Sequence, residues 1–302
     1  MFLFLESHVL KEQQSFIDEL RKEKLNAGNS MIKINMHKQK CEIREIVRLF
    51  SLRNSVQAIT LGGSRATGKA DVKSDYDIYI YLKSHIGNHV RKNILSQYCK
   101  HLEIGNTYWE HEDNCILHNG ISVDIVYRHA DKFVKNIAGV VENGKSHCGY
   151  TTSLWHNVIT SNIVYDKNDY LMNVKKRFSV PYPEKLKANI IKKNMALLTD
   201  SVVSYDKQIH KSIVRKDFVN MQNRITQFLN SYFDIIFALN EVHNPGEKHI
   251  IKTCREKCML LPNDFEENIE LLFNCMSSDL QKIENIIENI IYELKCIVNS
   301  SD

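Results

Sequence analysis

The stretch Leu61-Gly-Gly-Ser-Arg-Ala-Thr-Gly68, followed by Ser74-Asp-Tyr-Asp-Ile-Tyr-Ile-Tyr-Leu82, decides how this chain folds. An apolar run from Val56 to Leu61 ends in two glycines and a serine, which read as a strand entering a turn. Ten residues separate Ser64 from Asp75, and the β-branched and aromatic run Tyr76 to Leu82 reads as a second strand. Side chains alternate across a strand, so Asp75 and Asp77 share a face. Two neighbouring carboxylates repel unless a cation joins them. A hard divalent ion such as Mg²⁺, which takes oxygen ligands and keeps company with phosphate, suits the pair. Asp-x-Asp alone is a common strand edge, and Gly-Gly-Ser alone is a common turn. Strand, turn, spacer and acidic strand in this order make the pattern specific.

A third carboxylate comes from Ile121-Ser-Val-Asp-Ile-Val-Tyr127, an alternating apolar strand. Packing gives no reason for Asp124 there, and an unpartnered buried carboxylate costs roughly 2 kcal/mol or more. A metal removes that objection. Asn119-Gly120, just before it, is a strong hairpin-turn signal. The spacing further predicts an amphipathic helix over 42–52 with Ile43, Ile46, Val47 and Phe50 on one face. After the glycine turn it predicts a short helix, then a helix over 88–103, a strand or hairpin over 107–117 and a strand over 121–127. Strands joined by tight turns favour a mixed sheet over a parallel, doubly wound one.

From about Asp131 the apolar period becomes helical. Lys185–Leu198 and Asp279–Val298 carry regular apolar stripes, and Met221–Leu239 is apolar on most sides, as a central buried helix would be. Pro181 and Pro183 punctuate the entry to this half, and Pro245 and Pro262 interrupt it later. The expected fold class is α+β: a small mixed-sheet domain followed by an all-α helical bundle. The expected segments are a peripheral stretch at 1–30 with a polar helix over 11–24, a catalytic domain at 31–145 and a helical domain at 146–302.

Composition narrows the function classes. A net charge of +4 on 302 residues is too small to name nucleic acid as a partner. The locally basic segment Lys185–Lys216 reads as a solvated helix face or as a cationic wall for phosphates. Eight scattered cysteines read as reduced thiols of a cytosolic protein, and Cys254 and Cys258, with no second pair, make a poor zinc site. No apolar run approaches the ~20 residues of a membrane span. Met1-Phe-Leu-Phe-Leu5 is ended at once by Glu6 and has no basic n-region, so the expected location is the cytoplasm.

The Gly-Ser pair, ten-residue spacer and Asp-x-Asp strand, matched without a gap by Gly63, Ser64, Asp75 and Asp77, resemble the nucleotidyltransferase superfamily of DNA polymerase β. More closely, the chain looks like small bacterial enzymes related to aminoglycoside and lincosamide nucleotidyltransferases, and the resemblance makes Asp124 the superfamily's third carboxylate. Phe237-Ala-Leu-Asn-Glu-Val-His-Asn-Pro-Gly-Glu-Lys248, Ser153-Leu-Trp155 and Val164-Tyr-Asp166 look like the helical domains of nucleotidyltransferase-like bacterial proteins. The resemblance covers residues 54 to 250.

It implies Mg²⁺-dependent transfer of a nucleoside monophosphate, AMP first, from a nucleoside triphosphate such as ATP, with pyrophosphate released. The acceptor is a hydroxyl of a small molecule such as an aminoglycoside or lincosamide antibiotic. Asp75, Asp77 and Asp124 would be the catalytic residues and hold two Mg²⁺ ions. Gly62, Gly63, Ser64, Arg65 and Lys248 would bind the nucleotide. Glu110 and Glu112, in the acidic run Trp109-Glu-His-Glu-Asp113, would face the acceptor. Trp109 and Trp155 are stacking platforms or core residues. Two alternatives remain: nucleotidylation of a protein or tRNA in a toxin–antitoxin-like system, and a non-catalytic nucleotide-binding module.

Overall fold

The computed structural model describes residues 42–66, 68, 74–276 and 278–300. The peripheral segment expected at 1–30 lies outside them. The chain divides into two compact units. One holds the chain up to Asn136 together with Asn157–Ser179, and the other holds Ile137–His156 and the chain from Val180 onward.

The first unit is built on a six-stranded sheet in the order β3-β4-β5-β2-β1-β6. Its strands are β1 (Val56–Leu61), β2 (Tyr76–Leu82), β3 (Cys99–Asn106), β4 (Glu112–Leu117), β5 (Ser122–His129) and β6 (Asn162–Asp166). β2 and β5 run parallel, while the other neighbouring pairs are antiparallel, which makes the sheet mixed. Helix α1 (Glu42–Ser51) buries Ile43, Ile46, Val47 and Phe50, the i, i+3, i+4, i+7 stripe of its sequence. These side chains pack with Ile78, Ile80, Val123, Ile125 and Leu117 of the sheet and with Ile94 and Leu95 of α3 (Asn88–Leu95). Each fully buried aliphatic of this kind contributes about 1.5–3 kcal/mol before chain entropy is counted. One sheet face is thus committed to the core. Alternation leaves Asp77, Tyr79, Asn114, Asp124 and Arg128 for the opposite face.

Two expectations need correction. The helix expected over 88–103 ends at Leu95, where the Ser96 amide still returns to the Lys92 carbonyl at 2.9 Å. Cys99–Asn106 is a strand instead. Its pairing with β4 breaks register between Cys99 and His101 and again between Ile104 and Asn106, so the alternation that marks a strand is erased. The stretch read as helical from Asp131 onward also contains a strand. Five-residue β6 pairs antiparallel with β1, about a hundred residues earlier, and long-range pairing outweighs local pattern there.

The chain leaves the first unit within α4 (Ala130–Val141) and returns within α5 (Ser153–Thr160). After α6 (Tyr170–Phe178) come the helices of the second unit: α7 (Glu184–Met195), α8 (Tyr205–Val214), α9 (Phe218–Leu239), α10 (Ile250–Lys257), α11 (Phe265–Cys275) and α12 (Leu280–Asn299). α9 begins at Asp217, whose carboxylate accepts from the Asn220 amide at 3.1 Å as an N-cap. It buries Phe228, Tyr232, Ile235, Ile236 and Phe237, as an all-round apolar helix must. The α12 stripe of Ile283, Ile287, Ile290, Ile291 and Leu294 joins the same core. Among the described residues, no helix is long and apolar enough to cross a membrane.

Candidate active site

The parallel register of β2 and β5 sets Asp77 beside Asp124, with Tyr76 beside Val123 and Ile78 beside Ile125 facing the core. Asp75, at the mouth of β2, shares the Asp77 face. Carboxylate oxygens of Asp75, Asp77 and Asp124 lie within 4.8 Å of one another, and all three side chains are half-buried. At that spacing each ionised pair repels by on the order of 3 kcal/mol at an effective dielectric of about 20. A set of oxygen donors converging against that repulsion is suited to a hard divalent cation.

The turn before α2 (Gly63–Ala66) closes against the triad. Gly63 has φ +59°, and a Cβ there would lie 1.8 Å from Asp77 Oδ2. Only glycine lets the backbone come so close to that carboxylate. The Gly62 amide donates to the Asp77 carbonyl at 2.8 Å, which ties the turn to β2. Ser64 is half-buried on the first turn of α2. Arg65 is buried, and its Nε donates to the Ser74 and Asp75 carbonyls at 3.1 and 2.9 Å. Its Nη2 also bonds the Ser74 carbonyl, and its guanidinium lies 3.9 Å from the Tyr76 ring centroid. Arg65 therefore holds the backbone that carries Asp75.

Farther along the same face, Asn114 of β4 stands opposite Asp124 and donates Nδ2 to Asp124 Oδ1 at 2.6 Å. Its own Oδ1 accepts from Asn106 of β3. Glu112, opposite Val126, is 9% exposed. Burial pushes its carboxyl above the usual range, and the charges of Asp124, Glu110 and Glu103 add to the rise. Glu110 is exposed and chelates Arg128, with Nη2 to Oε1 at 2.7 Å and Nε to Oε2 at 3.1 Å. Tyr108 and Trp109, on the β3–β4 connection, are also exposed.

Residues 40–147 match the nucleotidyltransferase domain family. The first unit carries a nucleotidyltransferase domain. Residues 151–250 match a second family, a domain of unknown function, DUF4037. Solved structures similar to this chain include distant ones. A nucleotidyltransferase-like protein from Exiguobacterium sibiricum shares 12% identity at a TM-score of 0.42, over 86% of this chain and 74% of its own. An aminoglycoside 6-adenyltransferase from Bacillus subtilis shares 9% at 0.27, over 86% and 92%. The CCA-adding enzyme of Thermotoga maritima, complexed with tRNA, shares 10% at 0.27, over 85% and 80%. No curated protein sequence matches the chain. The assignment therefore rests on the family match together with the acidic triad, and it makes the protein a transferase.

Several polar groups of the structure escape a reading of motifs. Asn114 and Arg128 are polar residues at alternate positions of apolar strands, on the Asp124 parity, and that parity is the signal that would have found them. On the core side, Asp113 and Arg91 form a fully buried ion pair at 2.7 Å, and Asp113 also accepts from the Tyr127 hydroxyl and the Gly105 amide, each at 2.7 Å. In the second unit, Lys248 is exposed in the turn before α10. Trp155 is buried there, with its ring 3.9 Å from that of His243. Asp234 is buried as well, and it accepts from the Thr151 amide at 3.1 Å and from Asn244 Nδ2 at 3.2 Å.

Proposed function

We propose that the protein transfers a nucleoside monophosphate, AMP first among them, from a nucleoside triphosphate to a hydroxyl of a small cationic acceptor such as an aminoglycoside, with release of pyrophosphate. The observation that carries this reading is the convergence of Asp75, Asp77 and Asp124 within 4.8 Å beside the glycine turn. The all-oxygen donor set fits two Mg²⁺ ions, which when bound neutralise triphosphate charge and acidify the acceptor hydroxyl. Gly63 and Ser64 face the phosphates, and Gly62 shapes the turn that lets them do so. Arg65 fixes the entry to β2, so its part is to aim Asp75. Asn114 fixes the Asp124 carboxylate through its 2.6 Å hydrogen bond.

The acidic flank supports a cationic acceptor. Glu112, with its raised affinity for protons, stands next to Asp124 on this face. Asp124 or Glu112 takes the hydroxyl proton, help typically worth about 10²–10⁴ in rate. The exposed rings of Tyr108 and Trp109 offer stacking surface beyond it.

The test is incubation with each α-labelled nucleoside triphosphate, Mg²⁺ and a panel of aminoglycosides, lincosamides, tRNA and cell lysate. The reading expects pyrophosphate release coupled to labelling of a small cationic acceptor. It also expects Asp77→Asn and Asp124→Asn to abolish transfer while circular dichroism stays unchanged. Wild-type turnover in either variant would overturn the metal argument, and label on tRNA or protein would overturn the choice of acceptor.

A further inference from the structure

The acidic residue Glu110 lies on the rim of the site, yet its carboxylate is wholly engaged with Arg128. Arg128 belongs to the Asp124 face of β5 and is itself buried. Each nitrogen of its guanidinium is occupied: Nε and Nη2 by Glu110, and Nη1 by Asn157 Oδ1 at 2.8 Å. The guanidinium Cζ lies over the Tyr79 ring, 4.2 Å from its centroid, and Tyr79 is two residues beyond Asp77 on β2. The Tyr79 ring also lies against the Gly62 backbone, so closely that a Cβ at Gly62 would fall 2.3 Å from Tyr79 Cε2.

The contacts form one continuous column from rim to turn: carboxylate, guanidinium, aromatic ring, glycine. A bidentate carboxylate fixes the plane of a guanidinium, and a fixed guanidinium fixes the ring stacked on it. The ring in turn is the floor under Gly62, whose amide is already tied to the Asp77 carbonyl at 2.8 Å.

We propose that Glu110, Arg128 and Tyr79 are positioning residues that set the height of the Gly62–Gly63 turn against Asp77, and through it the affinity for the triphosphate. This rests on the nucleotidyl-transfer reading for its ligand, but the turn's position can be tested without it. Glu110 then acts through the turn, and the proton-accepting role on the acceptor side falls to Asp124 and Glu112.

The test uses the full chain with Glu110→Gln, Tyr79→Leu and Tyr79→Phe. Three measurements are made: hydrogen exchange of residues 61–66, binding of Mn²⁺ alone, and binding of Mg²⁺ with α,β-methylene ATP, which cannot undergo transfer. Glu110→Gln and Tyr79→Leu should exchange faster at the turn amides by about tenfold or more, with exchange in the β2–β5 ladder unchanged. They should weaken the nucleotide analogue by about three- to tenfold and bind Mn²⁺ as the wild type does. Tyr79→Phe, which keeps the ring, should restore most of the affinity. A wild-type exchange pattern at the turn in Glu110→Gln would overturn the proposal, as would loss of Mn²⁺ binding in step with nucleotide binding, which would mean general damage to the site. If turn exchange accelerates while even the wild type ignores the analogue, the column stands as a structural support and the nucleotidyl-transfer reading falls.

Discussion

Replacing Gly63 with alanine tests the site at its tightest point. The added methyl meets two separate penalties. At φ +59° an L-residue costs about 1–2 kcal/mol of backbone strain. The methyl would also sit 1.8 Å from Asp77 Oδ2 and 2.9 Å from its Cγ, so the carboxylate has to withdraw by about 1.5 Å to reach ordinary contact. Gly63 is exposed, and the three nearest atoms to the added methyl all belong to the Asp77 side chain, so the strain falls on that carboxylate. Stability should therefore fall by only about 1–3 kcal/mol, a few degrees in Tm for a chain of this size. Misplacing a catalytic group by about 1 Å can cost 10²-fold in rate. Gly63→Ala should thus lose at least about tenfold in Mn²⁺ affinity by electron paramagnetic resonance, and about 10²-fold in nucleotide transfer, while melting cooperatively near the wild-type temperature. A folded Gly63→Ala that binds Mn²⁺ with wild-type affinity would refute the reasoning, because Asp77 could then not be a ligand held against this turn.

Two further outcomes follow from buried charge elsewhere. Asp113→Ala strands Arg91, whose side chain has no solvent exposure, and deprives the Tyr127 hydroxyl and Gly105 amide of their acceptor, so denaturant unfolding should show a loss of about 3–5 kcal/mol. The double variant Arg91→Met/Asp113→Leu should recover much of it, and a single-variant loss below about 1 kcal/mol would contradict the role given to the pair. In the second unit, burial beside Lys257 pushes the pKa values of His156 and His243 down to about 4, with His156 adding to the effect on His243. Unfolded imidazoles titrate near 6.5, so between about pH 6.5 and pH 4 the unfolded chain binds more protons. The contribution is complete above about pH 6.5 and is lost as pH falls, by about 1–2 kcal/mol per histidine after discounting for partial exposure. His243→Phe, which keeps a ring on Trp155, should flatten that slope in melts taken from pH 7 to 4, and an unchanged slope would count against the assignment.

Where local chemistry dictated the backbone, the sequence was readable. The strand at Val56–Leu61, the glycine turn, the strand at Tyr76–Leu82 and the hairpin at Asn119-Gly120 lie where period and turn residues put them. Gly120, at φ +91°, needs the conformational freedom its position implies. Asp124 was conspicuous because a carboxylate has no place in an apolar strand unless something holds it. β3 was misread as helix because its register slips twice and spoils the alternation. β6 was passed over because five residues carry little pattern until β1 supplies the partner. Glu110 shows a different limit. Its acidic neighbours suggested acceptor chemistry, but the ion pair that occupies it comes from Arg128, eighteen positions away, and no local pattern announces such a pairing.

The side-by-side alignment of Asp77 and Asp124 has a bearing on how the molecule assembles. Sliding β5 by a single residue along β2 would swing Asp124 inward among Ile78 and Ile80 and push Val123 and Ile125 into water. Such a mispaired chain would entomb a charge at a cost of several kcal/mol, on top of the apolar area it forfeits. The acid proposed for the chemistry thus also polices assembly. Neutralising it removes a proposed metal ligand and, in the same stroke, lifts a sanction against the wrong sheet.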